Sequence, residues 1–188
     1  MGDSEVDAGS GPAQGWLLLI YRVPSEPTRL RATVWRRIKS MGAIYLQNSA
    51  AALPASVPAE RALRKLRSEI LDMAGSAVLL SCSVLAGESE IKAAFQAARD
   101  DEYEEIIDKC EDFLGQVDKE YAASHFSYAE LEENEVDLMK LKNWLTRVRE
   151  RDVFRASGRS GAEAALATCD AKLEAYAARV YAEEAESH

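Results

Sequence analysis

Hydrophobic and polar positions alternate first between strand-like and helix-like periods, then settle into helix alone. Trp16–Val23 is a continuous apolar run with Arg22 near its end, the pattern of a central strand buried on both faces. Pro24 and Pro27 end it, because proline supplies no ladder donor. Thr28 stands where a helix N-cap belongs. Leu30, Val34, Ile38 and Met41 then make one apolar stripe, and Gly42 follows as the expected C′ residue. Ala43–Gln47 and Ala50–Leu53 read as two short strands turning at Asn48-Ser49, with Pro54 closing the pair. A second amphipathic helix starts at Pro58, turns Leu63, Leu66, Ile70 and Met73 inward, and stops at Gly75. Ser76–Leu85 is the fourth strand.

The order β-α-β-β-α-β predicts an α+β, ferredoxin-like split βαβ fold, an antiparallel sheet with both helices on one face. From Glu88 onward strand signals cease. Ser89–Tyr121, with a break expected near Gly115, Tyr128–Val153 and Gly161–Glu186 read as three helices, and Ser157-Gly158-Arg159-Ser160-Gly161 as a linker. The predicted organisation is a flexible tail over 1–14, a ferredoxin-like domain over 15–87, and a helical extension over 88–188 packed on it.

Charge adds an asymmetry that the apolar pattern does not show. The chain of 188 residues has a net charge of -9. Residues 16–75 nevertheless carry ten Lys/Arg against four Asp/Glu, and residues 76–188 carry thirteen against twenty-five. Two such surfaces suggest different partners. No apolar run reaches the roughly 18 residues of a membrane span. The N-terminal stretch lacks the charged and apolar regions of a secretory signal. The expectation is a cytoplasmic protein. Cys82, Cys110 and Cys169 match no zinc spacing and read as buried or half-buried thiols.

The first candidate site is basic. Arg29, Arg31, Arg36, Arg37 and Lys39 lie off the apolar stripe of the first helix. Arg61 and Arg64 do so on the second, and Arg22 ends the first strand. Such a patch neutralises phosphates and releases counterions. No helix-turn-helix pattern accompanies it, so base-specific reading cannot be argued. The second candidate is polar: Tyr103 and Glu104 reaching Arg151 and Asp152 across an antiparallel helix pair, near Trp144. Carboxylates at Asp101, Glu105, Asp108 and Asp112 share one helix side, where a solvated face is the commoner outcome. With two histidines and no nucleophile-elbow, P-loop or dinucleotide motif, neither catalysis nor a cofactor is expected.

The residues Trp16-Leu-Leu-Leu-Ile-Tyr21-Arg22-Val-Pro24, Val34-Trp35-Arg36-Arg37-Ile38-Lys39, Leu53-Pro54 and Leu141-Lys-Asn-Trp144-Leu-Thr-Arg147-Val-Arg149-Glu-Arg151-Asp152-Val-Phe154 resemble the N-terminal domain of ChrB, a family of bacterial chromate-resistance regulators. The strand-helix-hairpin part is more weakly similar to the middle domain of PaaX-type repressors. The ChrB resemblance implies a regulatory role, with DNA as the expected partner. A ChrB protein carries a second, C-terminal domain beyond the matched part, so a separate ChrB C-terminal-type protein is a further expected partner. The alternative is an interaction module that binds no DNA. A homodimer through the helical half is also expected, because Leu131, Val136, Leu138, Leu141, Leu145, Leu166, Leu173, Tyr176 and Val180 form a broad apolar arc.

Overall fold

The computed structural model describes residues 15–186; the tail expected over 1–14 lies outside them. Strand β1 (Trp16–Arg22) leads to helix α1 (Arg29–Ser40), then to β2 (Ile44–Gln47) and β3 (Ala50–Pro54). Helix α2 (Val57–Asp72) and strand β4 (Ser76–Cys82) follow. Three further helices complete the described residues: α3 (Glu88–Ala122), α4 (Tyr128–Arg151) and α5 (Arg159–Glu186). The chain divides into two compact units between Lys92 and Ala93, inside the second turn of α3.

In the first unit the strands form one antiparallel sheet in the order β2-β3-β1-β4. This is the split βαβ arrangement expected from the element order. Strand β1 is central, pairing Leu17 with Leu53 on one side and with Ser81 on the other. Leu17 and Leu19 are buried together with Val34 and Ile38 of α1 and Leu63, Leu66 and Ile70 of α2. The two helix stripes therefore meet the sheet as their 3.6-residue spacing requires.

The helix ends depart from expectation in instructive ways. Thr28 is itself helical in backbone and its side chain caps nothing, so α1 starts without a side-chain acceptor. By contrast, the Ser56 hydroxyl accepts from the Ala59 N–H at 3.2 Å and caps α2. Helix α1 ends as expected on Gly42, at φ +77°, with Gly42 N–H bonded to Lys39 O and Ala43 N–H to Ile38 O. These paired bonds are a Schellman closure. Helix α2 closes in the same way, but the left-handed residue is Ala74, at φ +59°, rather than Gly75. Gly75 is required for space instead. A Cβ there would lie 2.5 Å from Arg22 O and 2.8 Å from Ile70 Cγ2.

The second unit has one apolar core shared by three helices. Its buried residues recur with alternating steps of three and four: Tyr103, Ile106, Cys110, Phe113 and Val117 on α3, then Ala162, Leu166, Cys169, Leu173, Tyr176 and Val180 on α5. A strict seven-residue repeat keeps one seam facing its neighbours along a helix. Helix α4 follows the same rule with Leu131, Leu138, Leu145 and Val148, and Leu141 is partly buried. The apolar arc that suggested self-association is thus used inside this unit, and of its members only Val136 is exposed, at 49%. Trp144, expected in the core, is half-buried against it. Gly115 does not break α3, which runs unbroken for 35 residues. The expected linker over 157–161 is shorter, because Arg159 already belongs to α5.

Glycine substitutions separate these two causes. Gly75→Ala should destabilise by about 1–3 kcal/mol through overpacking against Arg22 O. Gly115→Ala, whose Cβ meets nothing within 4 Å, should stabilise by roughly 0.5–1 kcal/mol. Urea denaturation followed by circular dichroism checks both signs.

Candidate nucleic-acid interface and polar site

The eight basic candidates are all exposed. The first two turns of α1 supply Arg29, Arg31 and Arg36, and its last turn supplies Arg37 and Lys39. Arg37 Nη2 meets Glu69 Oε1 of α2 at 3.0 Å, tying the two helices together at their outer surface. Arg64 pairs with Glu60 one turn earlier, at 2.7 Å. Arg36 Nε donates to Ala32 O in its own helix. Arg22, Arg29, Arg31, Lys39 and Arg61 have no acidic partner among the described residues. The outer surface of α1 and α2 is therefore basic with several uncompensated cations, and it carries little internal neutralisation.

Arg22 and Arg31 also line a groove that the sequence did not disclose. It has a volume of about 570 Å³ and is walled by Tyr21 and Arg22 from β1, Arg31 and Trp35 from α1, and Tyr45 and Asn48 from the β2–β3 hairpin. The Tyr21 and Tyr45 hydroxyls share a hydrogen bond of 2.9 Å. Tyr21 N–H donates to Ser49 O at 2.9 Å, which anchors the hairpin turn beside the end of β1. Burial raises the Tyr45 phenol pKa well above its ordinary value, and the bond to Tyr21 adds to that shift. Trp35 is 52% exposed, as expected for a residue flanking the apolar stripe. The one sequence signal for the groove is a tyrosine at each of two strand ends.

The polar site forms in the second unit, with one member exchanged. Tyr103 O–H donates to Asp152 Oδ2 at 3.0 Å, one of the expected pairings. Arg151 Nη2 reaches Glu102 Oε2 at 2.6 Å, so Glu102 takes the place expected for Glu104, which is exposed. Trp144 contributes packing instead of a polar contact. Glu102 Oε1 also accepts from Arg99, a guanidinium only 2% exposed. Burial holds that guanidinium below its usual pKa, against the opposing pull of Glu102. Asp152 Oδ1 accepts from the Ala156 N–H at 2.9 Å. Asp100 accepts from the Gly158 N–H at 2.7 Å and from Ser157 O–H at 3.1 Å. Gln96 Nε2 donates to Phe154 O at 3.0 Å, and Phe95 meets the Phe154 ring edge-on. The contacts of Tyr103, Asp100, Gln96 and Phe95 fasten the segment between α4 and α5 to α3, and Glu102 ties the end of α4 to the same helix. The site holds a loop.

Among the described residues, no group of three or more His, Cys, Asp or Glu is gathered so as to hold a metal ion. Asp112 of the acidic stripe is paired with Lys109 at 2.8 Å. Cys82 is exposed, contrary to expectation, whereas Cys110 and Cys169 are buried. The Cys169 thiol donates to Cys110 O at 3.5 Å, and burial pushes its pKa up to about 12. No helix of the described residues is long and apolar enough to cross a membrane.

The family described as "Protein ChrB, N-terminal" matches residues 31–187, from within the first turn of α1 to the end of α5. The chain belongs to the ChrB N-terminal family. A relative, Protein ChrB of Cupriavidus metallidurans, is 34% identical over 92 residues, 48% of this chain and 28% of that protein. The chain thus spans well under half the length of the curated relative it matches. The family match starts at Arg31 and leaves β1 outside, although Arg22 and Tyr21 of β1 complete the groove.

Three measurements check the polar site and the thiols. Tyr103→Phe removes a donor from a buried carboxylate and should cost about 1–3 kcal/mol, whereas Glu104→Ala should stay within about 0.5 kcal/mol. Urea midpoints compare the two. The folded Cys169 thiol holds its proton above its ordinary value of 9.0, so its contribution is present below that pH and is lost as pH rises towards about 12. Stability should therefore fall on the alkaline side, with a shallower slope in Cys169→Ala. A disulfide reagent should modify Cys82 quickly and the other two thiols only on unfolding.

Proposed function

We propose that this chain acts in chromate-resistance regulation by binding nucleic acid through the outer surface of α1 and α2. The observation that carries this reading is the set of exposed arginines on two adjacent helices that have no acidic partner among the described residues, in a protein that is acidic elsewhere. Its family supports the regulatory part. The Cupriavidus metallidurans relative bears the name ChrB and is far longer than the matched part. A cytoplasmic location, action by binding without catalysis, and a ChrB C-terminal-type partner belong to the same proposal.

The chemistry is that of phosphate contact. Guanidiniums on a convex helix surface meet backbone oxygens without reading base edges, so affinity should be sequence-tolerant and steeply salt-dependent. Arg37 and Arg64 contribute less than the others, because each is already neutralised by a carboxylate.

A second reading rests on a different surface. Ile20, Val78 and Leu80 are exposed on neighbouring strands β1 and β4, and Ile20 pairs directly with Val78. An apolar sheet face of this kind suits a protein partner, which would make the chain an interaction module without direct DNA binding.

The two readings differ in one experiment. Arg36→Glu together with Arg61→Glu should weaken retardation of duplex DNA equally across sequences and flatten its dependence on salt. Absence of any wild-type shift at about 50 mM salt, where phosphate contacts are favoured, would falsify the nucleic-acid reading and leave the sheet face as the working surface.

A further inference from the structure

The groove at the end of β1 gathers groups that a plain basic surface does not need. Arg31 and Trp35 lie four residues apart on one side of α1, so a guanidinium and an indole stand next to each other. Arg22 approaches from β1, and Asn48 offers an amide that both donates and accepts. The two phenols share one hydrogen bond, which leaves the second hydroxyl proton for a ligand.

Among the described residues, no carboxylate lines this groove. Its ligand is therefore anionic rather than cationic. A bare tetrahedral oxyanion would engage the guanidiniums and leave the indole, the phenols and most of the volume unused. At about 570 Å³ the groove falls in the size range of small-molecule sites, roughly 300–1,000 Å³. A flat ring carrying a phosphate uses the indole as well as the guanidiniums. The guanidinium fork matches phosphate oxygens in pairs. The exposed face of Trp35 accepts a stacked base whatever its identity.

We propose that this groove is a nucleotide site, with a base stacked on Trp35 and its phosphate held by Arg22 and Arg31. The ligand chemistry has two sources, a free nucleotide or an unpaired nucleotide within a strand. Only the second rests on the nucleic-acid reading above.

Calorimetric titration of the whole chain with adenosine 5′-monophosphate, a twelve-nucleotide thymidine single strand and inorganic phosphate tests the assignment. The nucleotide or the single strand should bind at least tenfold more tightly than phosphate, and should quench tryptophan emission in a saturable way. Binding by the nucleotide alone identifies the free ligand as the source; tighter binding by the strand identifies the unpaired nucleotide. Trp35→Leu and Arg31→Gln should each weaken binding about tenfold or more, as loss of a stacked base does. Trp35→Tyr should restore most of it. Trp35 is half exposed, so circular dichroism should show these variants folded. Phosphate equalling the nucleotide, Trp35→Leu equalling wild type, or no heat from nucleotide and strand alike overturns the proposal. Duplex retardation separates it from the broader reading. Retardation should survive Trp35→Leu unchanged and weaken in Arg36→Glu/Arg61→Glu, while the nucleotide still binds that double variant.

Discussion

Strand β1 is hydrogen-bonded along both edges, and nearly every functional candidate of the first unit takes its position from that fact. Pairing with β3 fixes the β2–β3 hairpin beside its end, and pairing with β4 fixes the strand that follows α2. Successive side chains along a strand point to opposite faces. Leu17 and Leu19 are consequently fixed towards the helices, and a slip of one residue would expose them and bury Leu18 and Ile20. The same register decides where Tyr21 and Arg22 emerge. It also brings Arg22 O against Gly75, so the closure of α2 and the end of β1 share one tight contact.

The second unit is governed by its polar exceptions. Its buried polar or charged residues among those described are Arg99, Glu120, Asn134 and Asp152, and each stands at a seven-residue core position. Arg99 and Glu120 continue the α3 series on either side of Tyr103–Val117, while Asn134 and Asp152 fall in the α4 series. They pair by level: Asn134 Nδ2 donates to Glu120 Oε2 at 2.7 Å, and Arg99 and Asp152 join the network of Glu102 and Tyr103. A half-satisfied buried charge is costly. A shift of one helix past another would strand these groups, so the polar levels select one register where the apolar repeat alone would tolerate several.

The fold was readable because periodicity changes cleanly, from two in the sheet to 3.6 in the helices. Prolines and glycines then marked most boundaries. Details failed where a residue type has two uses. Gly75 was read as a helix stop because glycine favours positive φ, yet Ala74 takes that conformation and Gly75 answers a steric demand from a residue 53 positions away. Thr28 had the chemistry of a cap but not its backbone. In the polar site, Tyr103 and Asp152 were paired on the strength of the ChrB-like motifs that hold them, not of spacing, and Glu102 and Glu104 flank Tyr103 equally until the α3 seam is fixed. The alternation of three and four through Cys110, Phe113 and Val117 was the signal that could have fixed it. The aromatic groove depends on a hairpin folding back to the end of β1, a long-range approach that no local pattern encodes.

The uncapped start of α1 has a dynamic consequence. Its first turn has no side-chain acceptor and no acid, and it places Arg29 and Arg31 at the positive end of the helix dipole. Local opening should therefore begin there, with amide protons exchanging fastest in the first turn and slowest near Val34 and Ile38. Arg31 thus sits on an adaptable turn while Trp35, one turn further, is carried by the part of the helix that the core holds. An arriving anion would order the first turn, so part of the free energy of binding would be expended in completing the helix.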